Sequence, residues 1–132
     1  MSLLEPIGPT CDVVLESSHE ADYGRHHDYL REGIERMILE SALWDFEELL
    51  VDDGCTGIAV MHPERPIEVQ LDEHKLLVVY SDDLDCFEDL LRGQGIRSRA
   101  GIRFITQGEH LHASHSRFQD RFDELRGQLG AS

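Results

Sequence analysis

The stretch GIAVMHPERPIEVQLDEHKLLVVYS, residues 57 to 81, changes the spacing of apolar residues from near four to two, and that change decides the fold. GIAVM is a short apolar strand and HPERP is a turn. In PIEVQLD the alternation is clean, with Ile67, Val69 and Leu71 on one face and Glu68, Gln70 and Asp72 on the other. DEHK turns the chain back, and KLLVVYS is apolar on both faces, the pattern of a central strand covered by helix. Three antiparallel strands joined by short turns make a meander.

Upstream, Leu30, Ile34, Met37 and Ile38 recur at offsets of four, seven and eight, and Ala42, Phe46, Leu49 and Leu50 continue the stripe. The spacing predicts a long helix from about Arg25 to Val51, with a break near Trp44 and a stop at DDGCTG, residues 52 to 57. Residues 1 to 22 contain two prolines, a glycine and the short apolar run CDVVLE. They read as a mobile arm with one edge strand, preceding a single α+β domain over residues 23 to 132. Met1, Ser2 and Leu3 read as a leader without structural weight.

Downstream, Ser81 and Asp82 are N-cap residues, Asp83 and Asp85 suit the positive end of a helix, and Leu84, Phe87, Leu90 and Leu91 supply its apolar stripe. IRFIT and HLHAS, joined at Gly108, form a two-strand hairpin. A final helix then places Phe118, Phe122, Leu125 and Leu129 in register. The expected order is helix, three-strand meander, helix, two-strand hairpin, C-terminal helix.

A chain of 132 residues with 40% hydrophobic content has enough apolar material for one core without staples. It has no run of eighteen apolar residues, and MSLLEPIGPT lacks the basic and apolar regions of a secretory signal, so a cytoplasmic protein is expected. Cys11, Cys55 and Cys86 are odd in number and widely spaced, which favours reduced thiols. A net charge of -15 disfavours nucleic acid and anionic membrane as partners.

The charge is segregated. Residues 1 to 91 hold 23 acidic and 5 basic side chains, whereas residues 92 to 132 hold 4 acidic and 7 basic ones, all arginine. The arginine fork suits carboxylate pairing, so this part can dock on acidic surface of its own chain, of a second subunit or of a partner, with Arg97, Arg99 and Arg103 the partner-binding candidates. A solvated basic face is the simpler reading.

The order of elements over residues 25 to 129, together with size and acidity, resembles the fold of type III secretion chaperones and their relatives, small acidic bacterial proteins that dimerise and bind client segments. The resemblance lies in topology and carries over no functional residue. It implies a homodimer and a protein partner.

TQGEHLHASH, residues 106 to 115, is the densest group of metal-ligand side chains. On a strand, His110 and His112 share a face, able to hold a divalent metal with a third ligand such as His115, Glu109, His62 or Asp83. The simpler reading is the exposed face of a hairpin whose Leu111 and Ala113 point inward. His26 and His27 diverge by about a hundred degrees if helical. SDDLDCFED lacks the spacing of a calcium loop, and its carboxylates disfavour Cys86 as a nucleophile. Cys55 lies in a glycine-containing loop without a recognisable catalytic partner. A non-enzymatic protein-binding, adaptor or chaperone-like domain is therefore expected. A metal-binding protein or metal-dependent enzyme using His110 and His112, and an acidic mimic that binds a basic protein, are the alternatives.

Overall fold

Strand pairing begins with CDVVLES, whose alternation buries Cys11, Val13, Leu15 and Ser17 while Asp12, Val14 and Glu16 stay partly exposed. The computed structural model describes residues 2–18, 27–96 and 116–132. Its strands are β1 (Thr10–Ser17), β2 (His27–Glu35), β3 (Thr56–Met61), β4 (Glu68–Leu71) and β5 (Leu77–Tyr80). They form one antiparallel sheet in the order β2-β1-β3-β4-β5. Its helices are α1 (Arg36–Asp45), α2 (Glu47–Asp52), α3 (Leu84–Gly93) and α4 (Ser116–Leu129), with a 3-10 segment at Ser2–Ile7. The fold class is α+β, as expected, and the meander is β3 to β5.

Register places the core. Val13 lies opposite Val60 and Leu15 opposite Ile58, while Val60 and Ile58 pair onward with Val69 and Leu71. Partners across an antiparallel pair point to the same side, so these residues line one face. Against them pack Leu39 and Leu43 of α1, Phe46 between the helices, Leu50 of α2, Phe87 of α3, and Phe122 and Leu125 of α4. Tyr29, opposite Leu15, meets the Phe122 ring at a centroid distance of 5.8 Å. The helical cover of the core thus lies on this face.

The expected N-terminal arm is corrected. Residues 10–17 are an interior strand rather than an edge strand, and Leu4 and Ile7 are buried while Leu3 packs on the core. Leu3, read as part of a leader, therefore carries structure. Alternation in CDVVLES outweighs the upstream prolines because strands await it on both sides.

The long first helix is also corrected: residues 27–35 are β2, and helix begins only at Arg36. Gly33, with φ of 68°, occupies a left-handed conformation opposite Asp12, where the register shifts between Cys11 and Val13. This is a β-bulge, and the Asp12 carboxylate accepts the Gly33 N–H at 2.9 Å. A continuous helix has no place for that conformation. Of the four residues at helical spacing only Ile34 is buried, and the core side of α1 is Leu39, Ala42 and Leu43 instead. The expected break falls at Phe46, between α1 and α2.

Two smaller corrections concern the meander and α3. Among the described residues β5 lies at the sheet edge, with Leu77 and Tyr80 exposed, rather than at the centre. The N-cap of α3 is Asp83, and no side-chain cap bond forms there. Ser81 Oγ accepts the Asp83 N–H, and Asp82 takes both oxygens to Arg65 at 3.0 Å, tying the HPERP turn to the start of α3. The expected strands IRFIT and HLHAS lie outside the described residues.

At its end α4 closes in a Schellman motif. The Gly130 N–H donates to Gly127 O and the Ala131 N–H to Arg126 O, with Gly130 at φ of 68°. Ser132 then exchanges two backbone hydrogen bonds of 3.0 Å with Leu30, covering that point of the β2 edge. Alanine at either left-handed glycine should destabilise the fold by about 1–2 kcal/mol from backbone strain alone. Gly33→Ala should stay near that figure, because nothing lies within 4 Å of its added methyl. Gly130→Ala should exceed it by the loss of the Arg31 Nη1 hydrogen bond to Leu129 O, because its methyl would sit 2.9 Å from that nitrogen and displace it. Urea unfolding of the two variants checks the order, and equal losses would contradict the crowding at Gly130.

Candidate functional site

Several residues singled out by sequence have structural work in the fold. His62 Nδ1 accepts the N–H groups of Glu64 and Arg65, both at 2.9 Å, so this nitrogen folds the HPERP turn. Asp83 begins α3. Cys11, Cys55 and Cys86 are unpaired thiols. Burial pushes the Cys11 thiol pKa up, which keeps it protonated, and Arg36 opposes this only in part. His110 and His112, with His115 and Glu109, lie outside the described residues, as do Arg97, Arg99 and Arg103. Among the described residues no group of three or more histidine, cysteine and acidic side chains is arranged to hold a metal ion. Among them, too, no helix is long and apolar enough to cross a membrane.

One polar cluster was not anticipated. Asp53 is fully buried where α2 turns into β3, and its carboxylate accepts the Thr56 hydroxyl at 2.6 Å and the Cys55 N–H at 3.2 Å. Lys75 is the chain's single lysine, and it donates from Nζ to Thr56 O at 2.7 Å. It is held there by the turn between β4 and β5. The Lys75 N–H donates to Asp72 O, and the Leu76 N–H to Asp72 Oδ1, with Lys75 at φ of 63°. Sequence carried a faint signal, since DEHK was a turn but nothing in it pointed to a partner sixteen or more residues upstream. The arrangement ties the α2–β3 turn to the β4–β5 turn.

Burial lowers the Lys75 pKa from its ordinary 10.5, against the opposing pull of Asp53, Glu73 and Asp72. Between the lowered value and 10.5 the unfolded chain binds more protons than the folded one, so stability rises with pH across that window. The excess stability of wild type over Lys75→Met should therefore grow as pH climbs toward 10.5. Urea midpoints of both proteins at several alkaline pH values read this, and a difference independent of pH would overturn it.

Among the described residues, the outer side of α1 and α2 carries the two most exposed large apolar side chains. Met37 is 78% exposed, Trp44 62%, Val51 54% and Ile38 51%. Met37 and Trp44 are seven residues apart in one helix and so share a stripe. They are turned away from Leu39, Ala42 and Leu43, which face the core. Sequence had assigned Met37 and Ile38 to the core side, because their offsets from Leu30 fit a helix that does not extend there.

Charge around this surface is organised from α4. Arg117 pairs with Glu48 at 2.9 Å, and Arg121 lies over the Phe46 ring at 4.1 Å while donating to Asp45 O at 3.1 Å. Arg126 covers the Tyr29 ring at 4.0 Å. These three arginines thus dock on acidic and aromatic groups of their own chain, one of the possibilities raised by the charge asymmetry. On the other side of the core an apolar pocket of about 510 Å³ lies between the sheet, the 3-10 segment and α3, lined by Leu4, Leu50, Ile58, Val69 and Leu90. Gln94 is its polar lining residue among those described, so it offers little to orient a charged ligand. Comparison of the chain with protein-family models, with curated proteins and with solved structures yields no match in any of the three.

Proposed function

We propose that this chain is a non-enzymatic protein-binding domain of the adaptor or chaperone type, which seats a partner protein against the outer side of α1 and α2. The observation that carries the reading is the exposure of Trp44 and Met37 on one stripe of α1. Tryptophan and methionine are enriched in protein interfaces, and a few such side chains supply most of the binding energy there. Their opposite side already satisfies the core, so their exposure serves no packing need of α1.

The homodimer implied by the resemblance to secretion chaperones belongs to the same reading. Light scattering at tens of micromolar reports it, and a monodisperse monomer would remove it. Partner capture at the α1–α2 surface does not depend on the outcome.

The reading requires that these side chains contribute little to folding. Met37→Ala with Trp44→Ala should unfold in urea within about 0.5 kcal/mol per substitution of wild type, as exposed positions do. Leu43→Ala, next to Trp44 but buried, should cost about 2–5 kcal/mol. If the exposed pair instead lost as much stability as Leu43→Ala, Met37 and Trp44 would belong to the fold and the assignment to a partner would lose its basis.

A further inference from the structure

From the arrangement of charge around the exposed apolar stripe we infer that the partner is a positively charged amphipathic helix of another protein. The inference rests on the protein-binding reading above and specifies the chemistry of its partner. Residues 35 to 52 carry six acidic side chains, Glu35, Glu40, Asp45, Glu47, Glu48 and Asp52, against the single base Arg36. That base is turned inward: its Nη1 donates to the carbonyls of Glu5 and Gly8, and its Nε faces Glu40 at 3.6 Å. Glu48 is already paired with Arg117. Asp45 lies beside Arg121, and exposed acids at Glu35, Glu47 and Asp52 remain around the stripe.

Position in the helices sets the geometry. Within α1, Glu40 lies three residues after Met37 and four before Trp44, and within α2, Glu47 lies four before Val51. Met37, Trp44 and Val51 therefore each have a carboxylate about one helical turn away on their own helix. An apolar centre with an acidic rim selects a partner of the inverse pattern, apolar side chains flanked by lysine or arginine. The seven-residue spacing of Met37 and Trp44 is one against which a second helix can pack. A second copy of this chain would bring the same acidic rim and a net charge of -15 with it, and an anionic membrane would be repelled likewise.

Trp44 is the only tryptophan and is its own reporter. Three synthetic tryptophan-free helical peptides with identical leucine positions, and lysine, glutamine or glutamate at the remaining positions, are titrated into the full chain while Trp44 emission is followed. The expected result is a blue shift with the lysine peptide alone, weakening as salt is raised. Glu47→Lys with Asp52→Lys should reduce its affinity about tenfold or more. Asp28→Lys with Glu68→Lys makes the same change in net charge on the sheet face away from the core and should leave the affinity near wild type. Equal binding of all three peptides, or equal loss with the two pairs of substitutions, would overturn the basic partner and leave the protein-binding surface standing. No shift with any peptide would overturn both.

Discussion

The pairing of Thr10–Ser17 between β2 and β3 is the constraint from which the remaining structure follows. This strand supplies Val13 and Leu15 to the centre of the sheet and gives β2 a template, so that residues 27–35 extend rather than coil. Strand pairing in turn demands the bulge at Gly33, because β1 has one residue fewer than β2 requires over that span. The bulge ends the strand in a direction from which α1 can start at Arg36, whose N–H donates to Pro9 O at 2.8 Å. Placement of α1 fixes which of its side chains are buried and which are left outside. The exposed surface at Trp44 is thus a consequence of a pairing made more than thirty residues earlier in the chain.

What sequence revealed and what it concealed divide along the range of the interactions. The meander was legible because Ile67, Val69 and Leu71 alternate within a few residues and need only local turns to pair. The amphipathic patterns of α3 and α4 were legible for the same reason, with Phe122, Leu125 and Leu129 of α4 buried as their spacing implied, while of the expected α3 stripe Phe87 is buried, Leu90 and Leu91 partly so, and Leu84 exposed. Residues 27–35 were not, since Leu30, Ile34, Met37 and Ile38 fit a helical period by accident of composition, and the decisive partner, β1, lay in a segment whose prolines suggested an arm. Gly33 was the available warning. A glycine in an otherwise strong helical pattern carries a cost, and here it marks the left-handed bulge instead.

The surface was less legible than the fold. Its acidity could be counted, but which apolar residues stand within the acidic rim depends on where α1 begins and on its rotation. The docking of Arg117 and Arg121 on the neighbouring helices shows a second long-range effect, in which basic side chains gathered late in the sequence neutralise part of an acidic surface made early. The Asp53, Thr56 and Lys75 contacts show a third, with a buried carboxylate satisfied locally by Thr56 and Cys55 and a lone lysine brought across from another turn.

The closure of β2 by Ser132 has a consequence for how the chain reaches this state. Arg31 and Leu129, joined by a 3.1 Å hydrogen bond beside that closure, are 98 positions apart. Contacts of such separation form late, since a long loop must close before they contribute. Until α4 has docked, β2 therefore offers an unpaired row of backbone groups at Leu30, the kind of edge on which strands of separate molecules join. The time spent with Leu30 uncovered would therefore add to the chain's tendency to aggregate during folding.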